Sequence, residues 1–152
     1  MASSNRKISV IMVADAVGYS KHMEANEDAT LASYKECEAI LKDLLKKHNG
    51  SIFNTGGDSV LTEFSSAVNA VECGVEFQRA IKEKNSKQDN QVNIEFRVGI
   101  NMGDVVETDG NLLGDGVNIA ARLEALSMPG GVSISKSVHD MIVGKTKLTF
   151  KN

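Results

Sequence analysis

The stretch from Lys7 to Ala14 is rich in β-branched and apolar residues, long enough for one buried strand, and it stops at Asp15. The strand therefore delivers a carboxylate at its end. From Glu27 to His48 the apolar positions Leu31, Tyr34, Cys37, Leu41, Leu44 and Leu45 recur at helical spacing, with Lys46, Lys47 and His48 in the last turn and Gly50 just beyond. Next come Ser51 to Thr55, then Gly56-Gly57-Asp58, then Ser59 to Phe64, which reads as strand, tight turn and strand because paired glycines permit the positive φ angles of hairpin turns. Asp58 falls at or beside that turn. Ser65 is placed to cap a second helix whose apolar face is Val68, Val71, Val75, Phe77 and Ile81, with Lys82 to Asn90 as its polar exit.

Val92 to Val106 alternates apolar and polar positions before the turn-rich Thr108-Asp109-Gly110-Asn111. Gly114-Asp115-Gly116 opens a third helix that runs through Leu126 and is ended by Pro129, the one proline of the chain. Val132 to Ser135 predicts a short strand, Lys136 to Val143 a short helix, and Lys147 to Phe150 the start of another strand. The order is β-α-β-β-α-β, then β, α, β, α, β. Such an order predicts an α+β fold, a mostly antiparallel sheet covered by helices on one face in the ferredoxin-like arrangement.

At 152 residues the chain is the size of one domain, so residues 1–152 are read as a single unit with one core. With 41% hydrophobic and 24% charged residues it has the make-up of a globular protein, without a low-complexity tract. A net charge of −3 with scattered basic residues argues against a nucleic-acid partner. The apolar run after the amino terminus is too short and too interrupted for a signal peptide or membrane span, so a cytoplasmic location is expected. Cys37 and Cys73 fall within helical patterns with no metal-ligand spacing and are expected to be buried free thiols. His22, His48 and His139 likewise lack ligand spacing.

Asp15 after a strand and Asp58 beside a Gly-Gly turn each neighbour small residues that would let a bulky anion approach the backbone. Magnesium prefers carboxylate and phosphate oxygens, and phosphate-handling sites commonly supply one or two carboxylates and let the substrate complete the shell. Spacing alone leaves another reading open, in which Asp15 caps the following helix and Asp58 is a turn residue. Asn118 and Arg122 stand at i and i+4, on one face of the third helix. An amide and a guanidinium so placed can bind a ribose oxygen and charge growing on a phosphate, or Arg122 can simply pair with a nearby acid. Neither a P-loop nor a dinucleotide-binding glycine fingerprint occurs.

These segments together resemble a known family. Val13-Ala14-Asp15-Ala16-Val17-Gly18-Tyr19-Ser20 looks like the FADIxGFT stretch of the class III adenylyl and guanylyl cyclases, and Gly56-Gly57-Asp58 resembles their GD hairpin. Arg97-Val98-Gly99-Ile100-Asn101-Met102-Gly103-Asp104-Val105 is similar to their R-x-G-I-x-x-G-D/E-V strand, and Val117-Asn118-Ile119-Ala120-Ala121-Arg122-Leu123-Glu124 to their VNxAxR helix. The matches keep family order and spacing from about residue 8 onward. The resemblance implies the class III cyclase fold and a two-metal reaction in which Asp15, Asp58 and the carbonyl of Ala16 hold two Mg²⁺ or Mn²⁺ ions. The amides of Val17, Gly18, Tyr19 and Ser20 would cradle the phosphates of a nucleoside triphosphate. It further implies a homodimer, with Asn118 orienting the ribose and Arg122 stabilising the transition state across the interface.

Two departures stand out. The family selects its base at positions four residues before the second metal aspartate and seven before the helix asparagine, here Asn54 and Asn111. Asn at both fits neither the adenylyl nor the guanylyl pattern, and an amide both donates and accepts; the absence of a glutamate at residue 54 favours ATP, giving 3′,5′-cyclic AMP and pyrophosphate. The family pattern also continues through a last hairpin bearing a triphosphate-contacting lysine, for which no lysine here is a clear match, and such domains are commonly fused to regulatory ones. The competing readings are a guanylate cyclase, a catalytically degenerate cyclase-homology module that dimerises and binds nucleotide, and a diguanylate cyclase, whose GGDEF hairpin is imitated only as far as Asp58.

Overall fold

The computed structural model describes residues 4–87 and 92–151. Its organising strand is β1 (Ser4–Ala16), which pairs antiparallel with β3 (Ser59–Phe64) along one edge and with β4 (Phe96–Thr108) along the other. Successive side chains of a strand point to opposite faces, and in β1 both faces are covered. Val10, Met12, Ala14 and Ala16 face one core, Ile11 and Val13 another. This is why the apolar run in the sequence is continuous rather than alternating.

The larger core is built with α2 (Glu27–Lys47), α3 (Ala67–Lys87) and α5 (Lys136–Ile142). The smaller one lies under α4 (Asp115–Leu126), where Val117 and Ala120 meet Ile11, Val13, Val105 and Leu112, with Phe53 and Leu61 packed beside them. The expectation of helices on one face thus holds for α2, α3 and α5 but not for α4. A glycine makes the second layer possible. A Cβ built on Gly99 would collide with the backbone nitrogen of Glu124 and stand 2.5 Å from the carbonyl oxygen of Ala120, so α4 lies directly on the bare backbone of β4.

The sheet runs β2-β3-β1-β4-β5, with β2 (Gly50–Gly56) and β5 (Asn111–Leu113) at its ends and β6 (Val132–Ile134) parallel to β4. All other pairings are antiparallel. β2 carries an irregularity between Ile52 and Asn54 that leaves Phe53 without a register partner, a bulge that bends the strand. The edge strands β2 and β5 come into contact.

Four elements depart from the sequence reading, each for a local reason. The seven-residue α1 (Tyr19–Ala25) has no buried residue, so hydrophobic periodicity could not reveal it. Asn26 ends it and caps α2, accepting from the amide of Ala29 at 3.1 Å. The cap of α3 is Ser66 rather than Ser65, its hydroxyl accepting from the amide of Asn69 at 3.2 Å. β4 starts at Phe96 rather than Val92 because its partner β1 ends at Ala16, the residue opposite Phe96. Lys147 to Phe150 forms no strand; Leu148 and Phe150 rest on the main core instead. Residues 88–90 of the polar exit from α3 lie outside the described residues. Cys37 and Cys73 are buried free thiols. Among the described residues no helix is long and apolar enough to cross a membrane.

The contact at Gly99 sets the first expectation. Gly99→Ala forces a methyl group into α4 backbone that cannot turn aside, and should lower the unfolding free energy in urea by about 3 kcal/mol or more. Gly57→Ala, which meets nothing within 4 Å but sits at a φ of 60°, should cost only about 1–2 kcal/mol. Equal effects of the two substitutions would remove the argument that α4 is seated by Gly99.

Candidate active site

Asp15 is the next residue, by alternation, on the face of β1 that carries Ile11 and Val13, the face under α4. It stands opposite Ser59 of β3 and Arg97 of β4 and is half-buried. Asp58 lies in the two-residue turn between β2 and β3, where Gly57 supplies the positive φ of the first turn position. The amide of Ala16 donates to the carbonyl of Asp58 at 3.0 Å, which clamps the hairpin tip against the end of β1. Both carboxylates are so fixed at one end of the sheet.

Burial pushes the Asp15 carboxyl up to about 6, helped by the charge of Asp58 and opposed by the Arg97 guanidinium. A third carboxyl joins them. Glu124 of α4 is buried, and its pKa is raised to about 7, first by desolvation and then by Asp15 and Asp58, with Arg97 again pulling the other way. Arg97 is itself held by a hydrogen bond from Nε to the carbonyl of Ser127 at 3.0 Å. Among the described residues Asp15, Asp58 and Glu124 have no ion-pair partner within 4 Å. The sequence reading did not single out Glu124 as a site residue, although it lies seven positions after Val117 and four after Ala120, on the same sheet-facing stripe.

The donor set is oxygen only and carries more negative charge than one guanidinium offsets, which suits a hard divalent cation. Among the described residues no group of three or more His, Cys, Asp or Glu side chains is arranged to hold a metal. Asp15 and Asp58 fit a site whose remaining ligands come from phosphate and water.

The loop after β1 narrows the expected phosphate cradle. The amide of Val17 donates to the carbonyl of Glu95 at 2.8 Å, so it is occupied and cannot serve a phosphate as expected. Gly18, at a φ of 63°, caps α1 without any side-chain cap, which removes the reading of Asp15 as the helix cap. Among the described residues the amides of Gly18, Tyr19 and Ser20 have no backbone acceptor. The Tyr19 ring packs edge-on against Tyr34 at 5.4 Å, and Tyr34 leads on to Phe96 at 6.2 Å, so the loop is anchored in the main core.

Asn118 and Arg122 both lie exposed on α4, away from the buried Val117, Ala120 and Glu124. Among the described residues Arg122 has no ion-pair partner, so the reading of it as one half of a surface pair fails, and neither side chain bonds to Asp15 or Asp58. The same stretch of chain carries exposed apolar residues, Ile119 and Leu126 on α4, Leu113 at the end of β5 and Met128 just after α4, with Leu126 and Met128 at 82% and 77% exposure. Asn54 is exposed on β2, opposite Leu61, and Asn111 opens β5. The Asn111 side-chain oxygen accepts from the amide of Leu112 at 2.9 Å, leaving its NH₂ to face outward chemistry. Phe53 and Leu112, their sequence neighbours, share the small core under α4, which sets both asparagines at its edge.

Glu124 and Asp15 make a pH dependence testable. A carboxyl whose pKa is raised on folding binds more protons in the folded state, so its contribution to stability is fully present below its unfolded pKa and is lost as pH rises through the folded one. For Glu124 that window runs from the ordinary glutamate value of 4.5 to about 7. In metal-free protein, Glu124→Gln should therefore raise the urea midpoint at pH 8 and leave it nearly unchanged at pH 5. A gain at pH 5 as large as that at pH 8 would contradict the assigned burial of charge.

Comparison with known proteins identifies the family and the fold. Residues 2–152 match the family model of the adenylate and guanylate cyclase catalytic domain. "Putative adenylate cyclase 3" of Rhizobium meliloti is 45% identical over 97% of this chain, which spans 25% of that relative's length. The adenylate/guanylate cyclase/hydrolase from Silicibacter pomeroyi superposes with a TM-score of 0.90 at 35% identity, over 98% of this chain and 87% of that one. The guanylyl cyclase Cya2 superposes with a TM-score of 0.82 at 26% identity, over 91% and 79%. The chain belongs to the adenylate and guanylate cyclase catalytic domain family, with the class III cyclase fold.

Proposed function

We propose that this chain converts ATP to 3′,5′-cyclic AMP and pyrophosphate at a site shared between two copies of itself. The observation that carries the reading is the division of the chain's chemistry. Asp15 and Asp58 are clamped together at the end of β1, while Asn118 and Arg122 point away from the sheet without partners among the described residues. One copy offers both halves and completes neither; a two-fold pair would complete two sites. The apolar Leu113, Ile119, Leu126 and Met128 on the same stretch of chain supply a surface for such an interface.

In this reading Asp15, Asp58 and the carbonyl of Ala16 hold two Mg²⁺ or Mn²⁺ ions, which when bound lower the pKa of the ribose 3′-hydroxyl and neutralise triphosphate charge. The free amides of Gly18, Tyr19 and Ser20 bind phosphate oxygens. Asn118 of the second copy orients the ribose, and Arg122 places its guanidinium where charge grows on the α-phosphate. The 3′-oxygen forms the new bond to the α-phosphorus in line as the bond to the β-phosphate oxygen breaks, releasing pyrophosphate; the hydroxyl proton leaves to solvent. ATP is favoured because residue 54 is not acidic and because the Rhizobium meliloti relative bears an adenylate cyclase name. One observation favours GTP as a second reading. With its oxygen engaged by Leu112, Asn111 presents a donor, which serves guanine O6 as well as adenine N1.

The experiment is product formation from ATP and from GTP with Mn²⁺ or Mg²⁺, for the parent, Asp58→Ala, Arg122→Ala and an equimolar mixture of the two variants. The parent should make cyclic AMP, and each variant alone should lose about 10²-fold or more. The mixture should recover about a quarter of parental activity, since half of its dimers are mixed and each of these has one intact site of two. Cyclic GMP instead would transfer the reading to GTP; a mixture no better than its components would overturn the shared site. No cyclic product from a folded dimer would leave a non-catalytic module.

A further inference from the structure

α4 and β4 run in opposite directions, since Gly116 lies against Gly103 and Asp104 while Glu124 lies against Gly99. The last turn of α4 therefore overhangs the start of β4, where Arg97 is the residue before Gly99 on the same face and pairs in register with Asp15. A Cβ on Gly99 would stand 2.8 Å from Cα of Glu124, and two strand residues span about 7 Å. The Glu124 side chain thus starts one strand repeat from the residue opposite Asp15. The bond from Arg97 Nε to the Ser127 carbonyl closes the same end of the contact.

Local structure gives no reason for a carboxylate at this place. The last turn of a helix favours cations, because its carbonyls carry the negative end of the dipole, and α4 has no basic residue there. Glu124 is only 8% exposed, and among the described residues its carboxyl has neither a hydrogen-bond partner nor an ion pair. Its oxygens are not sealed in. The fully buried, unpaired side-chain atoms of the described chain are His48 Nε2, Gln78 Oε1 and Asn85 Oδ1, so both Glu124 oxygens keep contact with solvent. Asp15 and Asp58 are near enough for their charges to act on it. A buried carboxylate without a partner, open to water and beside two further acids, calls for a cation.

We propose that Glu124 is a positioning residue of the divalent-cation site: its carboxylate accepts hydrogen bonds from water bound to the ion that Asp15 and Asp58 hold, and does not itself ligate that ion. This role rests on the reading of Asp15 and Asp58 as ligands. Direct ligation is set aside because no three acidic side chains among the described residues are arranged to hold a metal. Mg²⁺ keeps several waters of its shell, and acceptors one water away orient the inner ligands and contribute to affinity. Arg97 acts on Glu124 electrostatically but forms no ion pair with it within 4 Å, which leaves the carboxylate oxygens open.

The test is Mn²⁺ binding to the chain at pH 8, read from the loss of the free-ion EPR signal, for the parent, Glu124→Gln and Asp58→Ala. Bound waters are counted from line broadening in oxygen-17 water. Glu124→Gln should bind Mn²⁺ about tenfold more weakly with an unchanged number of waters, whereas Asp58→Ala should bind more weakly and gain a water. The same glutamine is expected to raise the urea midpoint of the metal-free protein at pH 8, so affinity lost while stability is gained separates this role from a structural one. Unchanged affinity in Glu124→Gln, with Asp58→Ala weakened, would overturn the inference alone. An added water in Glu124→Gln would make the carboxylate a direct ligand and overturn it as well. Asp58→Ala binding as the parent does, or no saturable binding by the parent, would remove the metal site of the proposed function and this role with it.

Discussion

The burial of β1 on both faces is the constraint from which the rest of the molecule follows. A strand covered on one side needs one helical layer; this one needs two, because Ile11 and Val13 are as buried as Val10, Met12 and Ala14. The second layer must come close, since the small core under α4 is supplied by few side chains, and Gly99 allows that closeness. Alternation then carries a consequence to the end of the strand. Asp15 continues the Ile11, Val13 series, so the carboxylate ends up beside α4 and close enough to feel Glu124.

That proximity has an electrostatic cost, and the cost is informative. A carboxyl is normally buried only with a partner, yet Asp15 and Glu124 are raised first by burial, Asp58 raises both and Asp15 raises Glu124 further, with a single guanidinium opposing both shifts. Structural carboxylates elsewhere in the chain behave otherwise. Glu63 and Glu76 are surrounded by Ser9 and Lys7, or by His48 and Lys47, and their pKa values are lowered despite some desolvation. The acids around Asp15 are thus organised against stability in the free chain, the pattern expected where charge is kept for a ligand that brings the opposite sign.

Much of this was legible in the sequence. The clean 3.6-residue pattern of α2 and α3 and the Gly-Gly turn gave their elements away, because each is set by local periodicity or by one backbone angle. The resemblance to the cyclase family placed Asp15, Asp58, Asn118 and Arg122 on the elements where they are found. What was illegible depended on contacts between distant segments. The side of the sheet on which α4 packs is decided by Gly99 meeting Ala120 and Glu124, and nothing around residue 99 announces a helix that comes twenty residues later. Val17 looked like a free amide because its acceptor, Glu95, is far along the chain. Lys147 to Phe150 has a strand's composition, but a strand needs a neighbour, and none pairs with it here.

The same close seating of α4 explains why its outward stripe cannot serve its own sheet. Rotating the helix to turn Asn118 and Arg122 inward would carry Val117 and Ala120 out of the small core and drive longer side chains toward Gly99, where the backbone approach leaves no room even for a methyl group. Sliding it along its axis is blocked as well, because a Cβ on Gly116 would already stand 2.8 Å from the carbonyl oxygen of Asp104 at the other end of the contact. Fixed at both ends, α4 presents its amide and guanidinium outward as a rigid pair. A side chain held in place in this way can act on a ligand without reorganising, provided the ligand is brought to it on another surface.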